Sequence, residues 1–425
     1  ITNVNLQDID NAIAGVVTVT VTGNTTLAFT TNSSSTTFTV TFGSNASGTG
    51  SGTGGTVTLA YEYPVGLNVF SIGTGWGAGP WSRGTWGSSY SSGIGQQLRL
   101  WSNDNYGQDL VIAPRGGGIY YWYDNTGVAY RAISLNTAST TAGYRGQFVP
   151  NQTNQVLASA IQRFVIAMGA NPYTPGTPNT DFDPMLVRWS DQANAYQWVP
   201  LTTNQSGEYR LSHGSYIVTS ANTRQEILVF TDSTIYSQQY LGPPYVWGFQ
   251  VLMDNISVMS PNSMITINNV TYWMGRDRFY MYSGRVEVLP CALRQYIFSD
   301  INQTQSYQVF AGANEAFNEV WWFYCSSGSN NVDKYVVYNY LDRVWYYGTM
   351  NRSAWYQTGT IQYPVAADYN GRLLNHENGT DDNSTSISQP IDAYVQSSDF
   401  DIGDGHNFGF VWRILPDINF NGSTV

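Results

Sequence analysis

The stretch Leu110-Val111-Ile112, Arg115-Gly116-Gly117-Gly118, Ile119-Tyr120-Tyr121-Trp122 reads as a strand, a glycine turn and a second strand ending in aromatics. Short runs of β-branched and aromatic residues bounded by turn formers are the mark of an antiparallel pair.

Working outward, the same unit recurs five more times. Phe164-Val165-Ile166 and Met185-Leu186-Val187-Arg188-Trp189 flank a long Pro/Asn/Asp loop, and Ile227-Leu228-Val229-Phe230 is followed by Thr231-Asp232-Ser233 and Thr234-Ile235-Tyr236. Next come Val270-Thr271-Tyr272-Trp273 with Phe279-Tyr280-Met281-Tyr282, then Val320-Trp321-Trp322-Phe323-Tyr324 with Tyr335-Val336-Val337-Tyr338, and finally Val365-Ala366-Ala367 with Leu373-Leu374. The units begin at 110, 164, 227, 270, 320 and 365, so the intervals are 54, 63, 43, 50 and 45 residues. Propeller blades repeat at roughly 40–50 residues, and the two longer intervals leave room for loop insertions. A four-stranded blade is too small to cover both its faces alone, so such units stack on one another. A large β-sandwich satisfies the same strand spacing and is the competing architecture.

The fold class expected is all-β: a six-bladed β-propeller-like body over residues 98–425 with loop insertions, preceded by a small N-terminal β-sheet domain over 1–70. That first domain is read from Val16-Val17-Thr18-Val19-Thr20-Val21, Thr37-Phe38-Thr39-Val40-Thr41-Phe42 and the run from Val57 to Tyr61. Alternation with threonine gives these strands one wet face. A Gly/Trp-rich connector over 71–97 holds Trp76, Trp81 and Trp86, which read as packed anchors, with a sugar-stacking platform as the alternative. Helix signals are sparse: Asn154 to Ile161, and Ser299 to Gln305 with Ser299 or Asp300 as cap.

Only 11% of the residues are charged, the net charge is −11 and Lys334 is the sole lysine. A reader of nucleic acid that gains affinity by releasing counterions from phosphate needs the opposite balance. Cys291 and Cys325 sit in apolar surroundings and read as free core thiols. No apolar run approaches the ~18 residues of a membrane span and no signal-peptide pattern opens the chain, which reads as soluble. An opening Ile1 suggests a piece of a longer or processed polypeptide.

The search for chemistry returns no catalytic, cofactor-binding or metal-ligating set. His213, His376 and His406 have no second ligand at metal spacing. Asp181, Asp183 and Asp300-Ile301-Asn302 lack the glycine and terminal glutamate of a calcium loop. Glycosidases need two carboxylates about the scissile bond, and Asp109, Asp232, Asp277, Glu319 and Asp368 lie beside the repeated strands. Asp is also what tight turns select, and that is the plainer reading. Gly116 to Gly118 and Gly242-Pro243-Pro244 are the positions where backbone shape is hardest to replace.

Several blocks carry a resemblance. Arg99-Leu100-Trp101-Ser102 through Asp109-Leu110, Pro114 to Trp122, and Tyr240-Leu241-Gly242-Pro243-Pro244 with Trp247-Gly248-Phe249 come first. Trp273-Met274-Gly275 with Phe279-Tyr280, Glu319 to Tyr324, Trp345-Tyr346-Tyr347-Gly348 with Arg352-Ser353-Ala354-Trp355, and His376-Glu377-Asn378-Gly379 follow. In this order they resemble the tail nozzle family of short-tailed bacteriophages, the tail tubular protein B and packaged-DNA-stabilisation proteins, over roughly 98 to 417. The resemblance implies a non-enzymatic virion tail protein: a homohexamer below the portal and its adaptor (the head-tail connector) that retains the packaged genome. It further implies surfaces for tail fibres or spikes, a tip plug or needle, and double-stranded DNA passing through the lumen without specific binding. Lumen carboxylates would keep DNA from adhering. The alternative is a carbohydrate-binding or glycan-cleaving propeller.

Overall fold

In the computed structural model, residues 100–382 are described apart from 160, 179–180 and 358–360. Residue 98, the backbone of four strands before residue 63 and scattered positions from 389 to 415 are also described. Those first strands are β1 (Val16–Val21), β2 (Leu27–Thr30), β3 (Thr39–Phe42) and β4 (Val57–Glu62). β1 pairs antiparallel with β4, and β2 with β3. Trp76, Trp81, Trp86 and His406 lie outside the described residues.

Six antiparallel sheets follow, each formed by strands consecutive in sequence. Blade 1 is β5 (Trp101–Tyr106), β6 (Asp109–Pro114), β7 (Tyr120–Trp122) and β8 (Ile133–Ser134). Blade 2 is β9 (Thr153–Ala158), β10 (Val165–Ala170), β11 (Asp183–Trp189) and β12 (Gly207–Arg210). Blade 3 is β13 (Ile217–Asn222), β14 (Ile227–Thr231), β15 (Thr234–Gly242) and β16 (Val246–Asp254). Blade 4 is β17 (Met264–Ile267), β18 (Val270–Met274), β19 (Phe279–Tyr282) and β20 (Val286–Leu289). Blade 5 is β21 (Phe310–Asn314), β22 (Glu319–Tyr324), β23 (Lys334–Asn339) and β24 (Val344–Thr349). Blade 6 has three strands, β25 (Ala354–Tyr356), β26 (Val365–Ala367) and β27 (Leu373–Asn375). The first strands of successive blades pack side by side from β5 to β25. The sheets form a ring, and the fold is a six-bladed β-propeller. A second compact unit runs from Glu377 to Val425.

Five of the six units read from the sequence are the two middle strands of a blade, and the sixth is the middle strand and the edge strand of the three-stranded blade 6. Middle strands have a neighbouring strand on each side and a neighbouring blade on each face, so every side chain of β10, β14 and β22 is buried. The stacked faces make five clusters. Val111, Tyr121, Val156 and Trp198 join blades 1 and 2. Ile166, Val187, Val229 and Tyr236 join 2 and 3. Phe230, Ile235, Trp273 and Tyr280 join 3 and 4. Phe279, Trp322, Val336 and Tyr324 join 4 and 5. Phe310, Trp321, Phe323 and Trp355 link 5 to 6. Among the described residues no cluster of buried side chains joins blade 6 to blade 1; Trp101 of blade 1 and Tyr356 and Leu373 of blade 6 are exposed.

Two helix readings are corrected. Asn154 to Ile161 is no helix, because Thr153–Ala158 is β9, laddered to β10 from Val165↔Ala158 to Ala170↔Thr153. Pairing with a fully buried neighbour overrides the modest helix preference of Gln, Leu and Ala. The second helix, expected over Ser299 to Gln305, is displaced. A helix α2 (Arg294–Asp300) ends where it was expected to begin, and a 3₁₀ segment Gln303–Gln308 follows. Its cap is Asn302, which accepts from Thr304 N at 3.1 Å, while the Asp300 carboxylate is held by Lys334 Nζ at 2.8 Å. An unforeseen helix α1 (Leu135–Thr141) buries Leu135 and Ala138 against blade 1.

Blade 6 is also where pH should act first. His376, just after β27, accepts from Arg352 Nε at 3.1 Å and lies 4.7 Å from the Trp355 ring. Burial, helped by the Arg352 charge, lowers its imidazole to about 4. An ordinary histidine titrates near 6.5, so the unfolded chain takes up the proton first. The stabilising contribution is complete above about pH 6.5 and is lost as pH falls toward 4. Hydrogen exchange should therefore quicken in β25–β27 between pH 7 and 5 relative to blades 2–5, and His376→Gln should flatten that dependence.

Candidate functional site

The inner strands enclose an axial cavity of about 390 Å³ lined by Gln155, Thr219, Ser220, Asn262, Thr266, Ala311, Ser353 and Trp355. A second cavity of about 160 Å³ shares Gln155, Thr219, Pro261 and Asn262 with it and adds Trp101, Ser102, Asn103, Arg115 and Asn154. Amides and hydroxyls such as Asn154, Gln155, Thr219 and Ser220 interrupt the hydrophobic pattern of these strands. Gln155 bridges blades 2 and 3, donating to Ser220 O at 3.1 Å and accepting from Ser220 N. Asn154 Nδ2 donates to Ile217 O at 3.2 Å.

Arg115 is the one charged side chain lining the two cavities. It sits on the β6–β7 turn, which Gly116 makes with φ +76°. The turn is clipped to blade 2 by Gly116 N to Thr153 O at 2.7 Å and Thr153 N to Gly117 O at 2.8 Å. A Cβ on Gly118 would touch Asn151 O at 3.4 Å. From there Arg115 Nη1 donates to Val218 O at 2.9 Å and Asn154 O at 3.3 Å, and Nη2 to Ile217 O at 3.4 Å. Its guanidinium carbon lies 6.0 Å from the centre of the Tyr307 ring. Burial lowers the guanidinium below its ordinary value, with the Tyr307 and Tyr216 phenols acting in the opposite sense. Tyr216, half-buried beside Tyr307, is pushed up to about 12, first by burial. Nothing in the sequence marked Arg115, because the three glycines beside it account for the turn without it.

The carboxylates considered for glycoside cleavage lie on five different blades, and each has a local partner. Asp109 accepts from Tyr121 Oη at 2.6 Å and Asp124 N at 3.0 Å. Asp232 accepts from Ser215 N at 2.7 Å, and Asp277 pairs with Arg278 at 2.7 Å and Arg294 at 3.4 Å. Glu319, 9% exposed, accepts from Trp321 Nε1 at 2.9 Å and from the Tyr346 hydroxyl. Asp368 holds its own turn through Arg372 N and Asn370 N, which keep its carboxyl below the usual range. Glu226 plays a part like that of Glu319: burial would raise it, yet bonds from Ser237, Tyr282 and Gln239 together lower it. The acids near strand ends are thus turn and lock residues.

The remaining candidates are equally local. His213 Nδ1 is 3.3 Å from Asp254, both exposed. Asp183 pairs with Arg210 at 2.6 Å, and Asp181 offers its backbone oxygen to Asn171 at 2.9 Å. No group of three metal-binding side chains occurs among the described residues. Cys325 is buried and Cys291 half-buried, both free, with burial pushing their thiols up to about 12 and 11. No helix among the described residues is long and apolar enough to cross a membrane.

No protein-family model and no curated protein sequence matches the chain. Among solved structures it is similar to Hsv2 of Kluyveromyces marxianus, at 8% identity over 70% of this chain and 78% of that one, with a TM-score of 0.37. It is also similar to Kluyveromyces lactis Hsv2, at 7% identity over 65% and 72% with a TM-score of 0.36. An ancestral GH74 enzyme matches at 10% identity over 64% and 42%, with a TM-score of 0.37.

Proposed function

We propose that the chain is a structural subunit of a short-tailed phage tail, one of six forming a nozzle below the portal and its adaptor. In that role it retains the packaged genome, guides its exit and carries attachment surfaces for fibres or spikes. The observation that carries this reading is the outer rim. The outermost strands of blades 2 to 5 leave Tyr209, Met253, Val288, Val344 and Tyr347 exposed. β15 and β16, nine residues each, project a hairpin whose tip holds Leu241 at 60% and Tyr245 at 77% exposure. Exposed edges of this kind are normally blunted with charge, and a chain with 11% charged residues has little to do that with. Apolar rims are covered by neighbours.

The candidate acids serve turns and bonds within their own blades, which supports reading the propeller as a building part. An axial cavity of about 390 Å³ has the size of a small-molecule site. In this reading the genome passes through the lumen that six subunits enclose, where the net charge of −11 disfavours adhesion.

Mass photometry of the purified chain tests the reading. The expected species is a hexamer, and Leu241→Ser with Tyr245→Ser should raise its dissociation constant at least tenfold while leaving the melting temperature unchanged. A monomer at micromolar concentration that cleaves a glycan would favour the carbohydrate-active alternative.

A further inference from the structure

Among the described residues no carboxylate lies within ion-pair distance of Arg115. The comparison within the molecule is Arg188, whose guanidinium is 1% exposed and has Glu208 at 3.6 Å. A guanidinium has five N–H donors, and Arg115 directs three hydrogen bonds to backbone carbonyls, from Nη1 and Nη2. Those bonds, with a further one to the Tyr307 hydroxyl, fix the plane of the group and leave one N–H. A guanidinium N–H is a charge-assisted donor that suits a carboxylate.

The walls beyond Arg115 are neutral and polar. Asn103 and Asn262 are exposed to the cavities, and no hydrogen bond engages either side-chain amide among the described contacts. Trp101, 41% exposed, lines the smaller cavity, and Trp355 the larger. Asp104 and Asp368 are engaged elsewhere. Asp104, farther along β5, accepts from Ala158 N at 2.9 Å and Asn105 N at 2.9 Å, and Asp368 is turned into its own loop. A fixed cation, unengaged amides, hydroxyls and indole rings around a few hundred cubic ångströms suit a small, polyhydroxylated acid.

We propose that the two axial cavities together bind a sugar carboxylate, with Arg115 of the smaller one taking the carboxylate, and Asn103 beside it and Asn262, which lines both, taking the hydroxyls. The site is independent of the tail assignment and would belong to the single propeller whether or not six of them assemble.

The test is calorimetric titration of the full chain with galacturonate and with N-acetylneuraminate, against galactose, acetate and sulfate. At least one acidic sugar is expected to bind, at least tenfold more tightly than galactose, acetate or sulfate. Arg115→Met should abolish the binding, and Arg115→Lys, which keeps the charge and loses the fork, should weaken it roughly tenfold. Arg115 also ties blades together, so Asn262→Ala provides the second variant. Its amide makes no described bond, the fold should survive, and affinity should fall several-fold. Galactose binding as tightly as the acids would overturn the proposal, as would acetate or sulfate doing so, which would leave a simple anion site. Binding unchanged in Asn262→Ala, or no binding of either acid at millimolar concentration, would also overturn it.

Discussion

Trp322→Ala is expected to destabilise the propeller by about 3–5 kcal/mol, the usual range for removing a buried tryptophan. Trp322 is fully buried at the centre of β22. Its ring lies 4.8 Å from Phe279 of blade 4 and 5.9 Å from Trp345, and its Nε1 donates to Ser263 O at 3.1 Å. The substitution therefore opens a cavity at the joint between blades 4 and 5 and removes one of the two donors to the Ser263 carbonyl, the other being Met274 N at 3.1 Å. Because inner, middle and outer strands all meet there, little collapse can refill the space. Denaturant unfolding should show the lower midpoint, and Trp322→Phe should recover more than half of the loss.

The second large effect is expected at Arg188, the buried cation of blade 2. It donates to Asn171 O at 2.8 Å, Phe148 O at 2.9 Å and Trp198 O at 3.2 Å, so one side chain gathers β11, its outer loop and the connector from blade 1. Burial lowers it to about 10, still well above neutrality, with Glu208 acting in the opposite sense. Arg188→Met keeps the volume and removes the donors. Breaking a buried charged pair on one side costs about 3–5 kcal/mol, though the relief of a desolvated charge offsets some of it. Thermal unfolding should show the fall, with local exchange rising in residues 146–150 and 195–199 before the other blades. A shift within error of wild type would mean that water replaces the guanidinium.

The parts of the fold legible in the sequence were those with two covered faces. Val320 to Tyr324 and Val165-Ile166 admit no polar alternation because a blade lies on each side, and so their repeat could be counted. The inner strands face solvent along the axis and carry Asn154, Gln155 and Thr219, a pattern with no period. That is why Thr153–Ala158 reads as a weak helix and forms β9 instead. Helix α1, Leu135–Thr141, escapes notice for the opposite reason: Asn, Ser and Thr are poor helix formers, and burial of Leu135 and Ala138 holds it in place. The axial cavity was not legible at all. Its walls come from blades 2 to 6, and beside it Arg115 meets Val218 across 103 residues of chain. The turn acids were legible as residues but ambiguous in role, since a turn and a catalytic carboxylate select the same side chain.

A propeller used as a building part is tested most directly by electron microscopy of the purified chain. Class averages are expected to show closed sixfold rings with six peripheral densities around an open lumen. Isolated single propellers at concentrations where the chain is pure and folded, with no sixfold class, would contradict it.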